Sequence, residues 1–314
     1  MKTTCLSQSQ LKADNEKTAK KMIRSEKMKR RNWIWLIIFG AIAIMCFGWK
    51  LFATYSPTET NLGNVLLPPG KEHIFGTDSL GRDVFSRTLF GGMVSITVSA
   101  LVTFFAIIIG IVYGGISGYK GGMLDTVMMR FVDVMYSIPS TIIVLVFQMV
   151  FPNKILGLII IMSLTNWMTT ARVVRARFQE LKESNFIILA KGQNIPKRKI
   201  IFGHMTRNTL SSIVVIATFT FANAIITETA LSFLGVGIPS DIPSWGNMIN
   251  NAQSYVLSNK WWVCFFPGML IILSSLSINF GGEYLKNKYT SVGFDEATKG
   301  DGKPKRGVRR WLRV

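Results

Sequence analysis

Several things that a self-sufficient catalyst needs are missing from this chain of 314 residues. Histidine occurs twice, at His73 and His204, and no HExxH motif is present, so a metal-dependent hydrolase has no ligand set. No Ser, His and Asp set suited to nucleophilic catalysis stands out, and no catalytic residue is assigned. A GxxxxGK[ST] phosphate loop is also absent, so the chain does not bind and hydrolyse nucleotide in the P-loop manner. Cys5, Cys46 and Cys264 show no paired spacing, which leaves neither a disulfide framework nor a zinc site, and no metal site is expected. Acidic residues are scarce, 17 against 36 Lys and Arg, giving a formal charge of +19. Nucleic-acid binding would need those cations mixed with aromatics on a folded face, whereas here they lie between apolar blocks.

What is present is apolar sequence gathered in blocks of about 16 to 25 residues, the length that crosses a bilayer as helix. The mean hydropathy is +0.32 despite the charge. These features predict an all-α polytopic membrane protein with six transmembrane helices. In order, the chain reads as a basic tail (1–32), a first span (33–53), a polar loop (54–92), a five-helix core (93–284) and a second basic tail (285–314). The first span is longer than a signal-peptide apolar region of about 7 to 15 residues, so it is expected to stay uncleaved. Within the core, spans are placed at about 93–116, 134–151, 155–170, 211–235 and 261–281, with a short loop at 117–133. Pro139 is expected to start the third span late or to kink it, and the tight link 152–154 makes spans three and four an antiparallel hairpin.

Lys/Arg bias predicts the orientation. With the N-terminus cytoplasmic, 30 of the 36 basic residues fall in the tails, the 117–133 loop and the 171–210 segment, all on one side. Gly110, Gly114, Gly118 and Gly122 recur at four-residue intervals, placing them on one helical face as a packing seam. Glu228 is the one clearly embedded acid, and an acid at that depth is expected to face a bundle interior or a wet cavity. A single acid is thin support for the main alternative, an ion-coupled secondary transporter.

Residues 178–208 form the long basic amphipathic stretch between two apolar spans. Helical pattern runs through Phe186, Ile187, Leu189 and Ala190, breaks at Asn194, Ile195 and Pro196, and resumes with Lys199, Ile200 and Phe202. Asn194 tolerates a left-handed conformation and Pro196 suits a first helical turn. Helix, sharp turn and helix result, with an apolar face that lies on the membrane surface or docks in a protein groove.

That stretch resembles the EAA loop of ABC importer permeases, whose short coupling helix fits a cleft on the nucleotide-binding subunit. Phe186, Ala190, Lys191, His204 and Asn208 match the pattern of the peptide and nickel branch. Ile188, Leu189, Asn194 and Arg207 depart from it. HIFGTDSLGRDVFSR (73–87) is similar to that branch's H-x-(F/L)-G-T-D-x-x-G-R-D-x-x-S-R, and ETALSFLGVGIPSDIPSWGNMI (228–249) to its E-x-x-L-S-F-L-G-x-G followed by P-S-W-G. MRFVDVMYSIPS (129–140) fits the branch's entry to the third span.

The resemblance implies a type I ABC importer permease, the second permease of its pair, in the bacterial cytoplasmic membrane. A homologous permease, two ATPase subunits, an extracytoplasmic substrate-binding protein and membrane lipid would be its partners. ATP would be bound by partner subunits, leaving this chain without a cofactor. Docking to the ATPase would use Phe186, Ala190, Lys191, Gly192 and Asn194, continuing through Ile195, Pro196, Lys199, Phe202 and His204. Glu228 and Ser232 would line the translocation path, and Gly110, Gly114 and Gly118 would pack helices. Peptides, nickel and metal chelates all remain open as substrates.

Overall fold

The computed structural model describes residues 33–150, 155–193, 195–196 and 198–300, with backbone alone for residues 149, 186, 191, 202, 256 and 287–300. The tail 1–32, the link 152–154, Asn194 and residues 301–314 lie outside it, as do the side chains of Phe186, Lys191 and Phe202.

The described residues are helical, joined by turns and loops. α1 (Trp33–Phe47) is followed by a single turn, α2 (Trp49–Phe52), and a folded loop with a 3-10 turn at Leu62–Asn64. α3 (Val84–Lys120), α4 (Gly122–Ser137), α5 (Ser140–Val150) and α6 (Ile155–Lys182) follow. α7 (Asn185–Gly192) and a π-helical turn (Lys199–Met205) lead into α8 (Thr206–Phe233), and the chain ends with α9 (Trp245–Ala252), a 3-10 turn (Gln253–Ser258) and α10 (Trp262–Gly300).

Four helical stretches are long and apolar enough to cross a membrane: Val84–Lys120, Ile155–Lys182, Lys199–Phe233 and Trp262–Lys286. α4 and α5 make a fifth if taken as one span bent by 75°. Pro139 causes the bend. It cannot donate to a helical ladder and forces Ile138 into an extended conformation (φ −99°, ψ 125°), which ends α4. α1 alone rises only about 22 Å, short of a hydrocarbon core of roughly 30 Å.

Three boundaries depart from the sequence expectation. α3 starts at Val84 rather than near residue 93, because Asp83 caps it, accepting from the Ser86 amide at 2.8 Å. The expected loop 117–133 is largely helix: α3 runs on to Lys120, Gly121 and Gly122 turn the chain with positive φ, and α4 begins at once. Gly122 therefore leaves the glycine ladder, and nothing lies within 4 Å of where its Cβ would be. At the other end, α10 continues through residues 285–300, expected to be tail.

α3 and α6 form the axis of the bundle, and their glycines set the spacing. A Cβ on Gly114 would lie 2.2 Å from the Ala171 carbonyl oxygen, one on Gly118 2.6 Å from that of Arg175, and one on Gly110 2.5 Å from Thr170 Cβ. The two backbones are thus in direct contact along three turns. Apolar clusters flank this seam: Val98, Val102, Leu158 and Met162 between α3 and α6, and Ile96, Ala222, Ile225 and Ile278 joining α3, α8 and α10. Because α3 is about 55 Å long by helical rise, its ends define two remote regions. The loop end holds His73 and Asp83; the basic end holds Lys120, Lys182 and α7. Much apolar surface stays uncovered between them, including Ile44, Phe104, Val127, Val134 and Ile160, as lipid or a partner subunit requires.

Candidate functional site

At the basic end, α6, α7 and the π-helical turn build a platform. Val174 and Phe178 of α6, Ile187 and Ala190 of α7, Ile200 and Met205 of the turn, and Ile213 of α8 are all buried in one cluster. Phe178 fits because Gly115 leaves room; a Cβ there would stand 3.2 Å from its ring. The sequence pattern left the apolar face of α7 undivided, and the structure splits it. Ile187 and Ala190 turn into this chain's own core, while Ile188 is 54% exposed and Leu189 66% exposed. Gly192, Pro196 and Lys199 are exposed, and Ile195 and His204 half-buried. Beside Ile188, Gly118, Gly121, Gln179, Lys182 and Glu183 line an open hollow of about 530 Å³.

Under the platform sits a carboxylate that the sequence reading passed over. Asp125, in the first turn of α4, accepts two bonds from Arg175 (Nε 2.5 Å, Nη2 2.6 Å), one from Gln179 (3.1 Å) and one from the Ser117 hydroxyl. It is 6% exposed. Three helices meet on that one side chain. Its signal in the sequence was an acid just past a double glycine, with Arg175 and Gln179 four apart on α6 and so on one face.

Near the C-terminal end of α8, Glu228 and Ser232 are both fully buried. The Ser232 hydroxyl donates to Glu228 Oε1 at 2.8 Å and accepts from the Ile238 amide at 3.0 Å; Thr229 and Ser95 also serve the carboxyl. A Cβ on Gly237 or Gly246 would meet Ser232 at 2.3 or 2.6 Å. With both side chains buried, neither is exposed to solute in this structure. Their geometry is that of a polar knot closing the 234–245 loop onto α8, where an embedded acid is satisfied by its neighbours.

The rest of the 228–249 motif builds α9. Ser244 caps it, accepting from the Asn247 amide at 3.1 Å. Asn247 Nδ2 reaches the carbonyls of Ile238 (3.0 Å), Pro239 (2.9 Å) and Ile242 (3.1 Å), holding the loop from inside. Trp245 is buried, donates Nε1–H to the Thr88 carbonyl at 3.0 Å, and lies where Gly92 has no side chain.

At the loop end, His73 is enclosed. It is 6% exposed, bonds Asp83 through Nδ1 at 2.9 Å, and lies against the Tyr55 ring. Asp78 holds Arg82 (2.7 Å) and Arg87 (3.4 Å), and Arg87 also donates to the Pro57 carbonyl at 2.8 Å. The 73–87 motif is therefore a folded cap on α3. Among the described residues, no three His, Cys, Asp or Glu side chains gather as metal ligands would.

Residues 106–291 match the family described as binding-protein-dependent transport system inner membrane component. The chain belongs to that family. The permease is 34% identical over 284 residues to the oligopeptide transport system permease protein OppC of Bacillus subtilis, covering 87% of this chain and 92% of the relative. It is 34% identical over 252 residues to the dipeptide transport system permease protein DppC of the same organism (80% and 79% covered). To OppC of Haemophilus influenzae it is 32% identical over 252 residues (80% and 81%). The matched region begins within α3 and runs into α10, so it takes in the glycine seam, the platform, the Asp125 anchor and the polar knot of the permease.

Proposed function

We propose that the chain is a permease subunit of an ATP-driven, binding-protein-dependent importer of peptides. It crosses a bacterial cytoplasmic membrane six times with both termini inside. A homologous permease forms the other half of the path, two ATPase subunits dock on the cytoplasmic side, and a binding protein delivers substrate from outside. Names of the relatives, all of peptide systems, favour a peptide over nickel or a metal chelate. The six-span count joins α1 to α2, about 30 Å of helix together by rise, and treats α4 with α5 as one bent span. Basic residues gathered at the α7 end favour that end as cytoplasmic.

The observation that carries the docking assignment is the outward pair Ile188 and Leu189 on a helix whose other face is anchored in the core. Beside Ile188 lies the 530 Å³ hollow. An exposed apolar pair on a rigid support, next to a concavity, fits a protein partner better than solvent. Ala190 supports that helix from beneath, and the half-buried His204 lies at its return. For the path, the surface between this permease and its partner is the better candidate than Glu228, which is enclosed.

Co-purification tests the docking role. Leu189→Asp, on the exposed face, is expected to abolish ATPase association while the permease still inserts and melts normally. Ala190→Glu is expected to lower the melting temperature as well, since it buries a charge. Undiminished association of Leu189→Asp would refute the assignment. An ion-coupled carrier makes a different forecast: uptake by vesicles holding permeases without ATPase, driven by an ion gradient alone.

A further inference from the structure

We infer that Asp125 is a positioning residue that carries movement of the ATPase-docking platform into the α4–α5 arm. This rests on the docking role proposed above and goes beyond it, because Asp125 lies outside α7 and bonds α3 and α6 instead.

The geometry is one of shared roots. Arg175 and Gln179 flank Phe178 on α6, and Phe178 is the buried floor of the platform. The same turn of α6 thus supports α7 through Phe178 and holds α4 through Arg175 and Gln179. Gln179 also lines the hollow beside Ile188, so a partner group seated there would press on a side chain already bonded to Asp125.

α4's other attachments are chiefly apolar: Val132 packs with Ala106 of α3 and with Trp167, Met168 and Ala171 of α6, and the Tyr113 hydroxyl of α3 donates to the Met128 carbonyl at 2.9 Å. The buried residues of α4 are Asp125 and Val132 alone among those described, and Met123, Val127, Phe131 and Val134 are exposed. Further along, Asp133 pairs with Arg172 at 2.7 Å, but both are about half exposed, where an ion pair is worth little. Tyr136 bonds Thr169 and lies under Arg172 at 4.2 Å, on that same exposed side. Asp125 is the enclosed ionic attachment, with the charge-assisted bidentate geometry that resists rearrangement. Beyond it the arm bends by 75° at Pro139 and enters the bundle as α5, where Val144 is buried against α6. An arm fixed at its root and bent at a proline moves as the root moves. A loosely held arm would instead uncouple from the platform, since coupling requires an element whose position both sites bias.

The test uses the assembled transporter in proteoliposomes, reading peptide uptake and ATP hydrolysis together. Asp125→Asn keeps the shape and removes the charge. It is expected to leave ATPase association and ATP hydrolysis near wild type while lowering peptides moved per ATP about tenfold, within the roughly 5- to 150-fold range of ordinary coupling. Asp125→Glu, which keeps the carboxylate, should recover part of that ratio. Spin labels at Val146 of α5 and Ile226 of α8, both exposed, should show an ATP-dependent distance change in the otherwise unmodified permease and lose it with Asp125→Asn. A purely structural role predicts less assembled complex with an unchanged uptake-to-ATP ratio, and that result would overturn the inference. Should the wild-type complex itself show no ATP-driven uptake, the functional reading fails first and this inference with it.

Discussion

Replacing Gly114 with alanine tests the seam that holds the bundle together. The added methyl would stand 2.2 Å from the Ala171 carbonyl oxygen and 2.9 Å from both its carbonyl carbon and Cα. To restore an ordinary contact of about 3.4 Å, α3 and α6 must separate by about 1.2 Å at that turn, and backbone has no rotamer with which to yield. Overpacking of this kind costs about 1 to 3 kcal/mol, against a helix-propensity gain of up to about 1 kcal/mol for Gly→Ala. Two controls isolate the cause. Gly115→Ala meets only the edge of the Phe178 ring at 3.2 Å, and Gly192→Ala meets nothing within 4 Å. At roughly 2 to 4 °C per kcal/mol, Gly114→Ala should melt several degrees below wild type in one detergent. Gly115→Ala should fall between, and Gly192→Ala should match wild type or exceed it slightly. Intrinsic tryptophan fluorescence on heating, with the chain's eight Trp residues as reporters, measures all four proteins. Equal melting of Gly114→Ala and Gly115→Ala would show that direct backbone contact is not what joins these helices.

Other perturbations probe the two motifs away from the platform. Asp83→Ala removes the cap of α3 and the partner of His73 together, so it should destabilise by about 1 to 2 kcal/mol; His73→Ala should cost less in the same melt, and the reverse order would refute the capping role. Asn247→Ala leaves three carbonyls of the 238–242 loop without their donor and should raise protease cleavage in that loop several-fold, while insertion is unchanged. Ser232→Ala breaks the bond to Glu228 and strands the Ile238 amide, so limited proteolysis should find residues 234–245 more open than in Glu228→Gln, where Oε1 can still accept.

How much of this was legible beforehand depended on the range of the interaction concerned. Glycines at 110, 114 and 118 announced a close helix contact by spacing alone, because four residues bring a helix back to the same face. Pro139 announced a break for an equally local reason. By contrast, Gly122 follows the same spacing but belongs to the next helix, since the positive φ at Gly121 and Gly122 ends the repeat. Arg87 hid the true start of α3, because a charge inside an apolar run reads as a boundary unless its partners, Asp78 and the Pro57 carbonyl, are known. The division of α7 into an inward and an outward face needed the position of Phe178, seven residues before the helix begins. Asp125 escaped notice because its partners lie 50 and 54 positions away.

Those long-range partners separate the two ends of the permease by kind of force. At the loop end, His73, Asp78, Asp83 and Arg87 interlock over a short span of chain and close the helix start with charged bonds, nearly all of them buried. Such a network is costly to break, because a lost member leaves a buried polar or charged partner short of a bond. The basic end is held mainly by apolar contacts, which can slide without leaving a polar group unpaired, and Asp125 is its enclosed ionic junction. Strain applied from the α7 side is therefore expected to displace the basic end before the loop end yields. Held rigidly at the loop end and compliantly at the α7 end, the bundle can turn a local push on the platform into movement of the α4–α5 arm, provided that junction stays closed.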